Sequence, residues 1–284
     1  MTPILTALLW MMGALASFTL MAISGRELSA ELNTFQILAY RSAVGVLVAS
    51  ALISVYGWGQ VRGIKFKMHL FRNVIHFAAQ YGWFYGLAVI SLTEVFAIEF
   101  TVPIWTAILA MLFLGERVTL LRLIAIGLGF IGVLIVLRPG VSEVGIASLA
   151  VLGAAVGYAA AHTTTRFLTQ HDSVLAIIFY MSVIQLPLGV IPALDGWVWP
   201  STAMWGWVAV VGVSGLSAHY ALARALKLAD ASVVVPMDFM RLPLVAVVGY
   251  LVYGEIIDVW VGVGAAIICI GIYINLRDAA RRTG

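Results

Sequence analysis

The chain has 284 residues, 63% of them hydrophobic and only 10% charged, with a mean hydropathy of +1.06. A water-soluble domain carries about 25% charged residues, so too little polar surface exists to coat a globule in water, and the chain reads as an integral membrane protein. The net charge of +3 does not argue for a nucleic-acid partner, because no basic stripe with interleaved aromatics stands outside the apolar blocks and basic residues of membrane proteins collect at the cytoplasmic face.

Ten apolar blocks follow one another, at roughly 4–24, 34–56, 70–90, 93–114, 120–137, 146–167, 174–194, 204–226, 232–253 and 259–276. A spanning helix needs about 20 apolar residues, whereas a barrel strand needs only about 9–11 and alternates polar with apolar, which these blocks do not. Inside hydrocarbon every backbone N–H and C=O must pair within its own span, and helices do that. The expected fold is therefore all-α, with ten transmembrane helices and loops too short for a soluble domain. The first block, "MTPILTALLWMMGALAS", ends in small residues as a secretory signal does, but it lacks a basic start and is expected to be retained. The one cysteine, Cys269, lies inside the last block and has no intrachain partner; no metal-ligand spacing occurs, and no cofactor is expected.

Threading ten helices from a cytoplasmic N-terminus puts Arg62, Lys65, Lys67, Arg72, Arg117, Arg122, Arg166, Lys227, Arg277, Arg281 and Arg282 on the cytoplasmic side. The far side receives Arg26 and Arg138 among basic residues, together with the acids Glu27, Glu31, Glu143, Asp195, Glu255 and Asp258. That bias selects both termini inside a bacterial-type inner membrane. Trp58, Trp197, Trp199, Trp205 and Trp207 stand at block ends or in loops, where an aromatic belt is expected.

Polar residues within the blocks are costly in lipid and usually face a cavity or a partner. The third block spaces Asn73, His76, Gln80 and Trp83 by three and four, one helical stripe, which either lines a cavity or bonds a neighbouring helix; Tyr81 and Tyr85 lie on another face. Glu99 in the fourth block precedes Pro103 by four residues and has no basic residue in its own block; Arg41 is a candidate partner. Tyr158 and His162 stand at i and i+4 in the sixth block, amid small residues that permit close helix approach. The eighth block places Ser214, Ser217, Tyr220 and Arg224 on one face, with Arg224 near enough to the end to snorkel. In the ninth block Asp238 stands beside Pro236 and Pro243, and three residues before Arg241, with which it can pair internally.

The stretch "GERVTLLRLIAIGLGFIGVLIVLRPG" from Gly115 returns as "GEIIDVWVGVGAAIICIGIYINLRDA" from Gly254. At that offset Gly115, Glu116, Ile131, Gly132, Ile135, Leu137 and Arg138 meet identical residues, Tyr81 meets Tyr220, Phe100 meets Phe239, and Glu99 meets Asp238. With a small register shift Tyr40 and Ser42 match Tyr180 and Ser182. Two halves of five helices are expected, 1–140 and 141–284. Because five is odd, the second half enters from the opposite face, the inverted-repeat plan of many secondary transporters, with substrate bound near the midplane between halves.

The segment "TVPIWTAILAMLFLGERVTLLRLIAIGLGFIGVLIVLRPG" and its counterpart "LPLVAVVGYLVYGEIIDVWVGVGAAIICIGIYINLR" resemble the end of an EamA domain, the repeat of the drug/metabolite transporter superfamily. In the second half Ile256 follows Gly254-Glu255 where that family usually has a basic residue. The resemblance implies a ten-helix transporter, in the branch that exports amino acids, aromatic ones included.

No G-x-S-x-G, H-E-x-x-H or Walker A motif occurs, so no catalytic residue is assigned and no ATP-driven pump is expected. The leading expectation is a secondary transporter exporting amino acids by alternating access, with a substrate site drawn from His76, Gln80, Trp83, Glu99, Tyr158, His162, Ser217, Tyr220, Asp238 and Arg241. Its partners would be the small-molecule substrate and the lipid bilayer, and one copy suffices to enclose a path. Alternatives are a transporter of a larger metabolite, such as S-adenosylmethionine or a sugar-linked compound, and a membrane scaffold or regulator.

Overall fold

A computed structural model describes residues 2–61, 64–90, 92–137, 145–244 and 259–283. In chain order its helices are α1 (Pro3–Leu28), α2 (Thr34–Tyr56), α3 (Phe66–Val89), α4 (Leu92–Glu99), α5 (Val102–Leu114), α6 (Leu120–Leu137), α7 (Ile146–Leu168), α8 (Val174–Ala193), α9 (Trp205–Leu228), α10 (Ala231–Val234) and α11 (Val259–Thr283). A 3-10 segment, Val235–Met240, continues α10, and residues 241–244 are helical. Among the described residues there is no strand. Arg62, Arg138, Glu143, the Gly254–Glu255 turn and Asp258 lie outside the described residues.

Among the described residues seven helical stretches are long and apolar enough to cross a membrane: Pro3–Gly25, Thr34–Tyr56, Val95–Leu114, Ile146–Leu168, Val174–Ala193, Thr202–Leu228 and Val259–Arg281. Leu120–Val136 is apolar but shorter. The 24-residue α3 is not among the seven; its first turns carry Lys67, His69, Arg72, Asn73 and His76. Two of the ten blocks are broken rather than continuous. The fourth divides at Phe100–Thr101 between α4 and α5, because Pro103 has no N–H for the carbonyl of Glu99 and its ring crowds that turn. The ninth, around Pro236, tightens into the 3-10 segment.

Local chemistry repeats between the halves. Asn33 caps α2 in a capping box with Gln36, and Ser173 caps α8 by accepting from the Ala176 N–H. Gly115 ends α5 in the left-handed region, at φ 66°. The next residue, Glu116, then turns into the other half: its carboxylate accepts from the N–H groups of Ala231 (2.8 Å) and Ser232 (3.0 Å) and from the Ser232 hydroxyl (2.7 Å). These are orphan donors at a helix start. The Gly-Glu pair thus stops one helix and caps another across the two halves.

Helices pack crosswise and antiparallel. α1 lies on α9 and α7 lies on α3, each helix against one from the other half, while α2 pairs with α8 and α6 with α11. Trp10 meets Tyr220 and Ser17 meets Ser217, so α1 and α9 run in opposite directions. The α6–α11 seam shows the symmetry atom by atom. A Cβ at Gly132 would lie 2.8 Å from the Gly264 carbonyl oxygen, and one at Gly271 would lie 2.8 Å from that of Ala125; both pairs are related by the 139-residue offset. Only glycine allows two backbones this close. The two helices of this seam, one from each repeat, are therefore related by a local two-fold.

A buried core of Met11, Leu15, Phe100, Val133, Phe239 and Ile268 surrounds the broken helices. Leu47, Phe71, Leu112, Phe113, Leu120 and Ile146 are exposed, an outer surface suited to lipid. Two loop clasps close the ends. Asp172 accepts from the N–H groups of Ile64 and Lys65 and from His69 Nε2 at 3.0 Å. In the second clasp Glu31 accepts from the N–H and hydroxyl of Ser201 at 2.9 and 2.8 Å, and these bonds hold the exposed Glu31 carboxyl below the ordinary carboxylate value.

Candidate functional site

The two helix breaks face each other. Phe100 and Phe239, offset mates, bring their rings within 5.9 Å. Their neighbours Glu99 and Asp238 share one cation: Arg241 Nη2 donates to Glu99 Oε1 at 2.7 Å and to Asp238 Oδ2 at 2.9 Å. Trp83 Nε1 completes the group by donating to Glu99 Oε2 at 2.7 Å. Two carboxyl groups share one guanidinium, a formal surplus of one negative charge, set among the rings of Trp83, Phe96 and Phe100. Glu99 therefore pairs with Arg241 and not with Arg41. The internal Asp238–Arg241 pair does form, and Glu99 joins it.

A second polar group lies along α2, α3, α8 and α9. Arg41 Nη2 donates to Gln185 Oε1 (2.6 Å) and Gln80 Oε1 (3.1 Å). A guanidinium only donates, so the Gln185 amide must turn its oxygen to Arg41. Its nitrogen then meets His76 Nδ1 at 2.9 Å, which places the His76 proton on Nε2. The His76 ring stands edge-on to Tyr158 (5.7 Å) and to His219 (4.8 Å). Each member of the α3 stripe makes a bond: Asn73 Oδ1 accepts from Arg72 of the same helix at 2.6 Å, while His76 and Gln80 bond as above and Trp83 reaches the acid pair. Tyr81 and Tyr85 are exposed.

The remaining expected residues divide. Tyr158 joins the second group through His76, and His162 has a buried Nδ1 without a partner. Ser217 does not join either group; it is exposed and bonds Ser17 and the carbonyl of Ser214. Tyr220 accepts from Arg224, whose guanidinium lies 4.8 Å from the centroid of the Trp10 ring, so Arg224 stacks on an aromatic face instead of snorkelling. Arg72, expected at the cytoplasmic face, is buried in α3 and donates to Thr165 and Asn73. The sequence offers Arg41 only as a partner for Glu99 and gives no sign of Gln185; the signal that Arg41 belongs elsewhere is a basic residue in mid-block with no acid near it in sequence.

Residues 5–138 and 145–277 each match the model of the EamA-like transporter family. The chain belongs to this family. It is a multi-pass membrane protein that transports small metabolites, and not an enzyme. A relative in Rickettsia prowazekii (strain Madrid E), named S-adenosylmethionine uptake transporter, is 24% identical over 93% of this chain and 90% of its own length. Another in Vibrio cholerae serotype O1, named riboflavin transporter, is 29% identical over the same shares. A third, in Rhizobium johnstonii and also named riboflavin transporter, is 31% identical over 75% of this chain and 71% of its own. A crystal structure at 16% identity superposes with a TM-score of 0.84 over 98% of this chain and 99% of that one, a likeness of fold alone. The names of these relatives do not support the expectation of amino-acid export; the larger-metabolite alternative fits them better.

Proposed function

We propose that the protein is a secondary transporter for a cationic, nucleoside-bearing metabolite of the S-adenosylmethionine kind, moved across the bacterial inner membrane by alternating access. Its ten spans place both termini in the cytoplasm, and its halves, about 1–140 and 141–284, exchange roles between the two faces. One observation carries the substrate reading: the shared cation of Glu99 and Asp238, which leaves a negative charge among aromatic rings. A sulfonium or ammonium group would take the spare charge, and the partly exposed face of Trp83 suits both a cation and a flat heterocycle. Glu99, Asp238, Arg241, Trp83 and Tyr158 form this cargo site, with His76 and Gln80 beside it. The relatives named for uptake support import, in place of the export first expected.

A flavin is the second reading, favoured by the relatives named as riboflavin transporters. Counterflow into proteoliposomes with labelled S-adenosylmethionine, riboflavin and phenylalanine separates the three cargoes. Glu99→Gln should lower S-adenosylmethionine exchange by tenfold or more while membrane yield is unchanged. An undiminished rate in that variant removes Glu99 from the site.

A further inference from the structure

We infer that Arg41 anchors a carboxylate of the transported molecule, in a subsite distinct from the acid-bearing site around Glu99. This rests on the proposed transport of a metabolite and narrows its chemistry to one that carries both a cation and a carboxylate.

Arg41 is buried, and its acceptors are two neutral amides, Gln80 and Gln185. Among the described residues its Nη1 has no partner, and Arg72, likewise buried, bonds Thr165 Oγ1 and Asn73 Oδ1. Among the described residues no carboxylate lies within ion-pair distance of either guanidinium; the salt bridges all involve other cations. Desolvating a charge costs several kcal/mol unless an opposite charge or a full set of hydrogen bonds compensates it. Here two positive charges are buried with neither.

Other unfilled groups lie in the same polar region: among the described residues Ser42 Oγ, Asn73 Nδ2 and His219 Nδ1 are buried and unpartnered. Ser42 lines one cavity with Arg41, Asn73 is linked to Arg41 through Gln185, whose amide donates to the Asn73 backbone carbonyl, and His219 lies one ring further on, against His76. A cavity of about 10 Å³, lined by Arg41, Ser42, Ser182, Gly212 and Gly215, lies along the Arg41 side chain. That is room for about one water, so the pocket is nearly closed. Gly215 keeps it available: a Cβ there would come within 3.1 Å of Arg41 Cδ. The free Nη1 can donate to one carboxylate oxygen, and the planar fork closes on the second where Nη2, now bonded to Gln80 and Gln185, gives up one amide oxygen. With the spare negative charge at Glu99 and Asp238, the interior presents opposite signs at two places bridged by His76 and Tyr158, the complement of a zwitterionic cargo.

The test compares ligands that differ by one carboxylate. Purified protein in detergent is titrated with S-adenosylmethionine and its decarboxylated form, and with methionine and 3-(methylthio)propylamine, following tryptophan fluorescence. The wild type should bind the carboxylate-bearing member of a pair at least ten times more tightly. Arg41→Gln should bring the ratio to near unity, and Arg41→Lys, which keeps the charge without the fork, should leave an intermediate one. Equal affinities within both pairs, a ratio that survives Arg41→Gln, or no binding by either pair overturns the subsite; the wild-type ratios stand even where a variant fails to fold. Discrimination within the methionine pair, with neither adenosyl compound bound, upholds the subsite and ends the proposed adenosyl cargo instead.

Discussion

Removing Arg241 should damage the protein more than removing Arg241 and Glu99 together. The guanidinium lies 2.7 Å from Glu99 and 2.9 Å from Asp238, and all three side chains are at most 25% exposed. Arg241→Gln strips the cation from two carboxylates at once. Deleting one partner of a buried pair costs about 3–5 kcal/mol, and that range is expected for the single variant. In Arg241→Gln/Glu99→Gln only Asp238 remains charged, and it keeps the most solvent of the three. The second substitution should therefore recover about 1–3 kcal/mol, the usual coupling between groups in one ionic network. Equilibrium unfolding in mixed micelles, followed by circular dichroism for wild type, both single variants and the double variant, gives the coupling directly. Free energies that add to within about 0.5 kcal/mol, the scatter expected of independent sites, would refute the shared-cation account and with it the charge count of the cargo site.

Glu116→Ala leaves the Ala231 and Ser232 donors without their carboxylate, and should cost about 2–4 kcal/mol by the usual worth of charge-assisted bonds in the same unfolding measurement; a loss under about 0.5 kcal/mol would show the cap to be dispensable. Gly132→Ala and Gly271→Ala should each cost about 1–3 kcal/mol through overpacking, and by about the same amount, since they are symmetry mates; a large difference in melting would show that the seam is not equivalent on its two sides. Glu31 has a folded pKa below the ordinary 4.5, so its contribution to the clasp is complete above that value and is lost as pH falls through the lowered one. In Ser201→Ala, which loses the hydroxyl donor but keeps the backbone N–H, the Glu31 titration followed by NMR should move part of the way back up. An unmoved titration would mean that the hydroxyl plays no part.

Much of this was legible in the sequence because the chain states its plan twice. The 139-residue offset matched Glu99 to Asp238 and Phe100 to Phe239, and residues that are mates near a two-fold axis must also be neighbours, as these are. The apolar blocks outlined the helices, and prolines stand at both places where a block breaks. What stayed hidden was the choice of partner. Nothing local says that Arg241 serves Glu99 as well as Asp238, that Arg41 takes Gln185 from 144 positions away, or that Arg72 turns inward while Lys65 and Lys67 do not. Such choices depend on which helix faces meet, and a strongly apolar sequence leaves little hydrophobic periodicity to orient them.

The crosswise pairing of α1 with α9 sets a schedule for biogenesis. Ser17 bonds Ser217, 200 positions later; at a synthesis rate of about 5–20 residues per second, the first helix waits roughly 10–40 s before its mate exists. It has to reside alone in the bilayer for that interval, and its span carries a mean hydropathy of 1.9 from Pro3 to Gly25. An ionisable residue introduced into α1 would therefore tax the nascent chain during its solitary stage, whatever comfort the finished bundle later provided.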